Sequence, residues 1–253
     1  MIYQNWVTDP LAFLLDNIEF MLLGITTLAF VIVTLLISGK MMHRGIKLQM
    51  KTISYVGFAY FGVASCWFGV TLNFITIILF NALPPWELHF FVHGGIVTIA
   101  QVFWIIAMSE LLAFKDKTQK ILKALTIGIG SAVEVTYIII IFTNISWLGT
   151  PVAPIQVVYG PFSYGYLMIE LMVFLIFGFL FVKESLKAED PKIRLKGKFL
   201  ASSFTVFTIA SFLEVFFQEI WVFIIGRLIV MSSALLFYIG FLLPRKIEEF
   251  ILK

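Results

Sequence analysis

Four ionisable side chains interrupt stretches of sequence that are otherwise apolar. They are Glu134, Glu170, Glu214 and Arg227. A charge at the centre of a bilayer costs at least about 2.5–3.5 kcal/mol, so charged residues inside membrane helices usually pair with one another or line a polar cavity. We therefore expect Arg227 to neutralise one or more of the glutamates. Such a cluster either fixes the register of neighbouring helices or forms a functional site.

Further polar side chains share helix faces with these charges when successive residues are set about 100° apart. They are Tyr166, Tyr238 and Gln218. We predict a polar, ligand-binding cavity lined by Arg227, Glu170, Glu214, Glu134, Tyr166, Tyr238 and Gln218. In this cavity Arg227 would hold an anionic group of a ligand, or a proton would move among the glutamates.

A second cluster with possible chemistry contains two histidines. His89 and His93 are spaced i, i+4, which places both imidazoles on one side of a helix, and Glu87 precedes them. Imidazoles and carboxylates are zinc ligands, so these three residues are the weak candidates for a metal site. The sequence has no second cluster of ligands. We therefore predict no metal and no cofactor, and we interpret the histidines as interfacial.

The composition indicates which elements must position these residues. Of the 253 residues, 60% are hydrophobic and only 13% are charged, whereas soluble domains have about 25% charged residues. The lipid bilayer is therefore the main expected partner. The single cysteine, Cys66, excludes an internal disulfide and a cysteine-based metal cluster. The net charge of +3 is small, so we expect no nucleic acid partner.

Runs of about 20 mainly apolar residues predict an all-α polytopic membrane protein with a bundle of seven transmembrane helices. We place the spans at about 18-38, 52-80, 91-114, 121-143, 163-183, 199-217 and 221-243. They form a single domain over 1-253, in which 244-253 is a short amphipathic tail. No span contains an internal proline, so we expect unbroken helices. This argues against the paired broken helices that many transporters have.

One face of the second span contains small and polar residues along its whole length. These residues are Tyr55, Ala59, Gly62, Cys66, Gly69, Asn73 and Thr76. Small residues allow helix backbones to approach closely, and polar side chains hydrogen-bond across the interface. We therefore predict that this face is buried against other helices.

The basic residues indicate the orientation. All but one of the 18 Lys and Arg residues follow the first, third, fifth or seventh span, and such residues concentrate on the cytoplasmic side. We therefore expect an integral cell-membrane protein with its N-terminus outside and its C-terminus in the cytoplasm. The exception, Arg227, lies below the outer surface at the depth of Glu170 and Glu214, whereas Glu134 is nearer the midplane.

This orientation makes the predicted cavity face outward, where the longest connection, 144–162, also lies. Several aromatic residues occur in or just after this connection. They are Trp147, Tyr159, Phe162 and Tyr164. These side chains would either cover the cavity or form an aromatic belt at the membrane interface.

Two segments of the C-terminal third carry a resemblance to a known family. They are AEDPKIRLKGKFLASSF at Ala188–Phe204 and YIGFLLP at Tyr238–Pro244. With the overall layout, they resemble the seven-transmembrane sensor region at the N-terminus of some histidine kinases and related archaeal membrane proteins. The resemblance implies a sensor or receptor module. In that family a cytoplasmic signalling domain follows the last span. The chain here stops at Lys253, so a signal would pass to a separate cytoplasmic protein.

We therefore expect a receptor-like sensor that binds a small molecule from the outer side without catalysis. Two alternatives stay open: a membrane-embedded enzyme acting on lipid or isoprenoid substrates, and a small-solute or proton-coupled transporter. PPWELHFF at Pro84–Phe91 is similar to the proline–acid–phenylalanine motifs of membrane carotenoid cyclases. The sequence contains no P-loop, nucleophile elbow or H-E-x-x-H motif.

Overall fold

The computed structural model describes residues 5–217 and 219–252, and most of them are helical. The α-helices in chain order are α1 (Asn5–Thr8), α2 (Pro10–Asp16), α3 (Ile18–Lys47), α4 (Lys51–Ser65), α5 (Phe68–Phe80), α6 (Trp86–Gly94), α7 (Val97–Leu111), α8 (Asp116–Thr143), α9 (Pro161–Lys187), α10 (Pro191–Phe216), α11 (Ile220–Leu242) and α12 (Arg245–Ile251). Two short strands, β1 (Gly149–Ala153) and β2 (Gln156–Tyr159), lie between α8 and α9.

The helices identify an α-helical membrane protein. Five helical segments in the described part of the chain are long and apolar enough to cross a membrane. These segments are Ile18–Lys47, Trp86–Leu111, Asp116–Thr143, Pro161–Lys187 and Ile220–Leu242. Taken together, α4 and α5 are also long and apolar enough to cross a membrane, but the chain bends by 60° at the break between them.

Six of the helices pack in a closed circuit. Going around it, α3 contacts α4, α4 contacts α7, α7 contacts α9, α9 contacts α10, α10 contacts α11, and α11 returns to α3. The helix α8 packs against α7 and has few buried residues. The circuit matters for function because its members surround a common interior.

Hydroxyl groups link the backbones of neighbouring helices in this circuit. The Ser38 hydroxyl of α3 donates to the carbonyl of Gly57 on α4, with 2.7 Å between the oxygens. Ser203 on α10 and Ser233 on α11 each donate to the other's carbonyl, at 2.9 and 3.1 Å. Small side chains allow the helix backbones to approach closely, and the hydrogen bonds further stabilise the contact between the helices.

The polar face predicted for the second span is confirmed as buried. Each of its seven residues is buried or half-buried, and none is exposed. At two positions a side chain has no room: a Cβ on Gly62 would overlap Ala100, and a Cβ on Gly69 would lie 2.8 Å from the imidazole of His89. The glycines therefore bring α4 against α7 and α5 against α6.

The expectation of unbroken helices is wrong for the second and third spans. The second is divided into α4 and α5 at Cys66 and Trp67, and the third into α6 and α7 at Gly95 and Ile96. A helix break leaves backbone carbonyls without their helical partners, and the hydrocarbon region of a bilayer supplies no water to replace them. Other parts of the protein must therefore satisfy these carbonyls.

At the break between α6 and α7 a tyrosine hydroxyl binds the carbonyl of Gly94, and a second tyrosine hydroxyl binds the carbonyl of Phe90 one turn before it. Tyr137 on α8 donates to the carbonyl of Phe90 at 2.8 Å, and Tyr166 on α9 donates to the carbonyl of Gly94 at 3.1 Å. Gly94 also makes space for the ring of Tyr137, which a Cβ at this position would overlap. The break is thus stabilised by residues of two later helices.

The connection 144–162 is more ordered than the all-α prediction implies. Within it β1 and β2 pair antiparallel, with Gly149 opposite Tyr159. The side-chain amide of Asn73 on α5 donates to the carbonyl of Pro154 at 2.8 Å. This bond fixes the turn of the hairpin against the broken second span.

We predict that Gly62→Ala destabilises the protein although alanine favours helices over glycine. Because the new Cβ would overlap Ala100, we expect the free energy of unfolding to fall by about 1–3 kcal/mol. The measurement is equilibrium unfolding in detergent micelles. The matched control is Gly128→Ala on α8, where a Cβ has no neighbour within 4 Å; it should leave the stability unchanged or raise it. Equal effects of the two variants would contradict the packing described.

Candidate functional site

A cavity of about 400 Å³ lies inside the circuit of helices. Much of its wall is apolar, including Leu23, Val63, Val97, Trp104, Phe174 and Phe207. The ionisable and amide side chains in the wall include His89, Gln101, Glu170, Glu214 and Arg227. Small-molecule sites commonly enclose about 300–1,000 Å³ and combine apolar walls with a few polar groups. The size and lining therefore fit a ligand pocket.

Arg227 is buried in the wall of this cavity, with 6% of its surface exposed. One guanidinium nitrogen, Nη1, forms an ion pair with Oε1 of Glu214. The Nε–H group donates to the hydroxyl of Thr27 at 3.3 Å, and Cζ lies 5.1 Å from the ring centre of Trp67. The prediction that Arg227 neutralises a glutamate is therefore confirmed for Glu214. An aromatic face next to a cation adds further stabilisation.

The local sequence brings the two charges together. Glu214 is in the last turn of α10, and α11 begins at Ile220, so only three residues of sequence separate the two helices. Gly226 faces the glutamate: a Cβ there would lie 2.9 Å from Oε1 of Glu214. Because Gly226 has no side chain, the carboxylate reaches Arg227 at the next position along α11.

Glu170 differs from Glu214 although both line the cavity. Among residues 5–217 and 219–252, none forms a hydrogen bond or an ion pair with the Glu170 carboxylate. The side-chain amide of Gln101 donates to the backbone carbonyl of Glu170 at 3.4 Å, not to its carboxylate. The cation of Arg227 is already shared with Glu214. Glu170 is therefore a free acceptor in a largely apolar pocket.

Glu134 and Tyr166 lie behind the cavity wall rather than in it. Glu134 is half-buried beside the turn between α6 and α7, where a Cβ on Gly95 would lie 3.5 Å from Oε1. Its Oε2 atom is buried without a hydrogen-bond partner in the described residues. The hydroxyl of Tyr166 is within 2.8 Å of the Thr98 hydroxyl and supports the helix break. Neither side chain is among the lining residues.

The remaining predicted residues lie elsewhere or are not described. Tyr238 is half-buried, and the ammonium of Lys40 lies 5.4 Å above its ring centre. It is not part of the cavity wall. Gln218 lies outside the described residues. The structure thus brings together three of the predicted residues, Glu170, Glu214 and Arg227, in one wall.

Both histidines of α6 are buried, with 1% of each exposed, and are not surface residues. The Nδ1 atom of His89 is 3.2 Å from the Oδ1 atom of Asn73. The ring of His93 stacks on Tyr159 with 5.2 Å between centres. Glu87 is exposed. The described residues contain no group of three or more His, Cys, Asp or Glu that would hold a metal ion.

The hairpin between α8 and α9 forms part of the cavity wall. Its residues Ile155 to Tyr159 line the cavity, as does Tyr164 at the start of α9. Trp147 is exposed, whereas Phe162 packs near Tyr166 with 6.2 Å between ring centres. The aromatic residues near the cavity were predicted from the sequence, whereas the two strands were not. The available signal was the run of β-branched residues in TPVAPIQVVY.

Comparisons with protein-family models and with curated proteins give no match. The two segments that resemble sensor regions, Ala188–Phe204 and Tyr238–Pro244, contribute no residue to the cavity wall.

We predict that Arg227→Met and Glu214→Gln each lower the free energy of unfolding by about 3–5 kcal/mol, because each leaves a buried group without its partner. The free energy of unfolding of the double variant should fall by less than the sum of the two single effects, and the difference should be about 0.5–3 kcal/mol. The measurement is a double-mutant cycle of equilibrium unfolding in detergent micelles.

The control for this cycle is Glu87→Gln, which removes an exposed carboxylate and should change the stability by no more than about 0.5 kcal/mol. Additive effects of Arg227→Met and Glu214→Gln would show that the two side chains do not interact in the folded protein.

Proposed function

We propose that the chain is a receptor-like membrane protein that binds an amphipathic small molecule in the cavity. The observation that supports this most is the free carboxylate of Glu170 in a wall that is otherwise mainly apolar or already paired. A buried charge without a partner is costly. A ligand with an amine or hydroxyl head group would supply that partner, and the apolar wall would receive its hydrocarbon part.

This chemistry changes the expected class of ligand. The sequence led us to expect an anionic group held by Arg227. In the structure the guanidinium is occupied by Glu214, the hydroxyl of Thr27 and the ring of Trp67. An anion entering the cavity would compete with Glu214 for the guanidinium and would be repelled by Glu170. We therefore favour a cationic or neutral donor head group.

The proposal includes seven spans. They would be α3, the bent pair α4–α5, the pair α6–α7, and the helices α8, α9, α10 and α11. The helix α10 has 26 residues, and its apolar part follows Lys198. With Lys and Arg kept to the cytoplasm, the N-terminus would be outside and the C-terminus inside. The cavity would then lie in the outer half of the membrane.

The signal would pass along the last three long helices. Glu170 lies on α9, Glu214 on α10 and Arg227 on α11, so a bound head group would influence all three helices. The opposite ends of α9 and α10 meet at Ala188–Phe204, the segment that resembles part of a sensor region. A change in spacing of these helices would alter that segment and its contact with a separate cytoplasmic partner.

A transporter is the second candidate, because both broken helix pairs lie beside the cavity. Many transporters place their substrate at interrupted helices, and Cys66 and Trp67 at the first break line this cavity. The enzyme alternative has less support. Glu87 of the PPWELHFF segment is exposed and lies outside the cavity wall.

We predict that the cavity prefers an amine or alcohol to an acid of the same chain length. The probes are decylamine, decanol and decanoate, and the measurement is the quenching or shift of fluorescence from Trp67 and Trp104 in lipid nanodiscs. Decylamine should bind at least about tenfold more tightly than decanoate, because a head-group difference of 1.4 kcal/mol corresponds to that factor. Glu170→Gln should remove this preference.

The matched control is Glu184→Gln, which changes an exposed carboxylate on the same helix and should leave the preference unchanged. Tighter binding of decanoate than of decylamine would contradict the assigned head group. Equal binding of all three probes by the unchanged protein would contradict a role of Glu170 in recognition.

We also predict that decylamine changes the distance between the ends of α3 and α9 that lie far from the cavity. Spin labels would be placed by Lys47→Cys and Lys187→Cys in a Cys66→Ala background, and the distance measured by pulsed electron resonance. A receptor should show a shift of about 2 Å or more. No shift, together with saturable decylamine flux into proteoliposomes, would favour the transporter instead.

A further inference from the structure

A second cleft, of about 510 Å³, lies where the ends of four helices meet. Arg44 comes from the last turn of α3, Lys192 and Lys196 from the start of α10, and Arg245 from the start of α12. Leu23 of α3 lines the first cavity, and the length of helix between Leu23 and Arg44 is about 30 Å. The cleft is therefore a separate feature at the other end of the helices.

The backbone around the cleft holds these cations close to one another. Lys192 and Lys196 are one helical turn apart and therefore face the same side. The Nη1 atom of Arg44 donates to the carbonyl of Leu242 at 3.5 Å. Leu243 has a φ of 35°, a left-handed conformation that ends α11 and redirects the chain into α12. This turn brings α12 over the cleft.

Two carboxylates in α12 compensate for part of the positive charge. Glu248 pairs with Lys192 at 2.8 Å, and Glu249 pairs with Arg245 at 3.0 Å. The second pair is exposed, and the first is partly exposed. Such pairs are weak and exchange readily with other ions.

The other two cations have no such partner. In the described part of the chain, no carboxylate lies within ion-pair distance of Lys196 or Arg44. Lys196 precedes the apolar part of α10 and is half-buried. Its pKa is lowered first by burial and then by repulsion from Lys192 and Arg44. The cleft therefore has an excess of positive charge that an anion would relieve.

We propose that this cleft binds the phosphate of an anionic phospholipid head group. Arginine and lysine side chains that converge on one point provide the donors that phosphate oxygens require. The neighbouring helix α12 exposes apolar side chains, with Phe250 86%, Ile251 45% and Leu252 43% accessible. An amphipathic segment of this kind lies in the membrane interface. With its phosphate in the cleft, the lipid would place its acyl chains beside the apolar side chains of α12.

This site is independent of the proposed function, since none of its residues lines the first cavity. Basic clusters at the ends of membrane helices bind anionic head groups with about 1 kcal/mol for each cation near the surface, which corresponds to about a fivefold change in affinity. Occupation of the cleft would neutralise Lys196 and Arg44 and hold α12 against the ends of α3 and α10.

The experiment measures binding to the purified full chain in a neutral detergent. The three probes are dioctanoyl phosphatidylglycerol, dioctanoyl phosphatidylcholine and inorganic phosphate. We expect phosphatidylglycerol to bind at least tenfold more tightly than phosphatidylcholine. Lys196→Gln and Arg44→Gln should each weaken its binding about fivefold. The matched controls, Lys198→Gln on α10 and Lys47→Gln on α3, remove exposed cations outside the cleft and should change it less than twofold.

Glu248→Gln provides a test in the opposite direction. It removes a carboxylate that competes with phosphate for Lys192, so phosphatidylglycerol should bind more tightly, by about fivefold. A loss of folding cannot produce this increase in affinity. Size-exclusion chromatography and circular dichroism of each variant establish that it is folded.

Three results would overturn the proposal. Equal loss of affinity in Lys196→Gln and Lys198→Gln would show that only the general surface charge attracts the lipid. Weaker binding to Glu248→Gln would show that the carboxylate does not compete with the phosphate. Inorganic phosphate that displaces phosphatidylglycerol at equal concentration would assign the cleft to a free anion rather than to a lipid.

Discussion

Arg227 and Glu214 are each costly to bury alone, and the arrangement of the surrounding helices follows from burying them together. Their contact requires the missing side chain at Gly226, and only three residues of sequence separate α10 from α11. The Nε–H group of the guanidinium reaches Thr27 on α3, and the guanidinium lies near Trp67 in the break between α4 and α5. One ion pair thus relates the positions of four helices.

The same pair determines what the cavity offers to a ligand. Because the cation is used inside the protein, the unshared charge in the wall is the carboxylate of Glu170. The helix α5 departs by 60° from the direction of α4 beside the cavity, and the hairpin, which is anchored through Asn73, forms part of the cavity wall. Hydroxyls of Tyr137 and Tyr166 stabilise the companion break between α6 and α7. Packing and recognition therefore depend on overlapping sets of residues.

Hydropathy and the rarity of intramembrane charge were sufficient to predict a helical membrane protein and the pairing of Arg227 with a glutamate. They were insufficient to select the glutamate, since Glu170 and Glu214 were placed at the same depth, and only the space left by Gly226 distinguishes them. The helix breaks contain no proline, and the tyrosines that satisfy the break between α6 and α7 are 47 and 72 positions away in the sequence. Such long-range hydrogen bonds leave no local pattern.

The most direct test of this account is the distance between Arg227 and Glu214 in a lipid bilayer. Solid-state nuclear magnetic resonance can measure it through the dipolar coupling of a guanidinium ¹⁵N to the side-chain carboxyl ¹³C in selectively labelled protein, with Arg227→Lys and Glu214→Gln used to assign the two signals. The account predicts a coupling that corresponds to ion-pair contact, within about 4 Å. A guanidinium signal with no coupling to any carboxylate would contradict it.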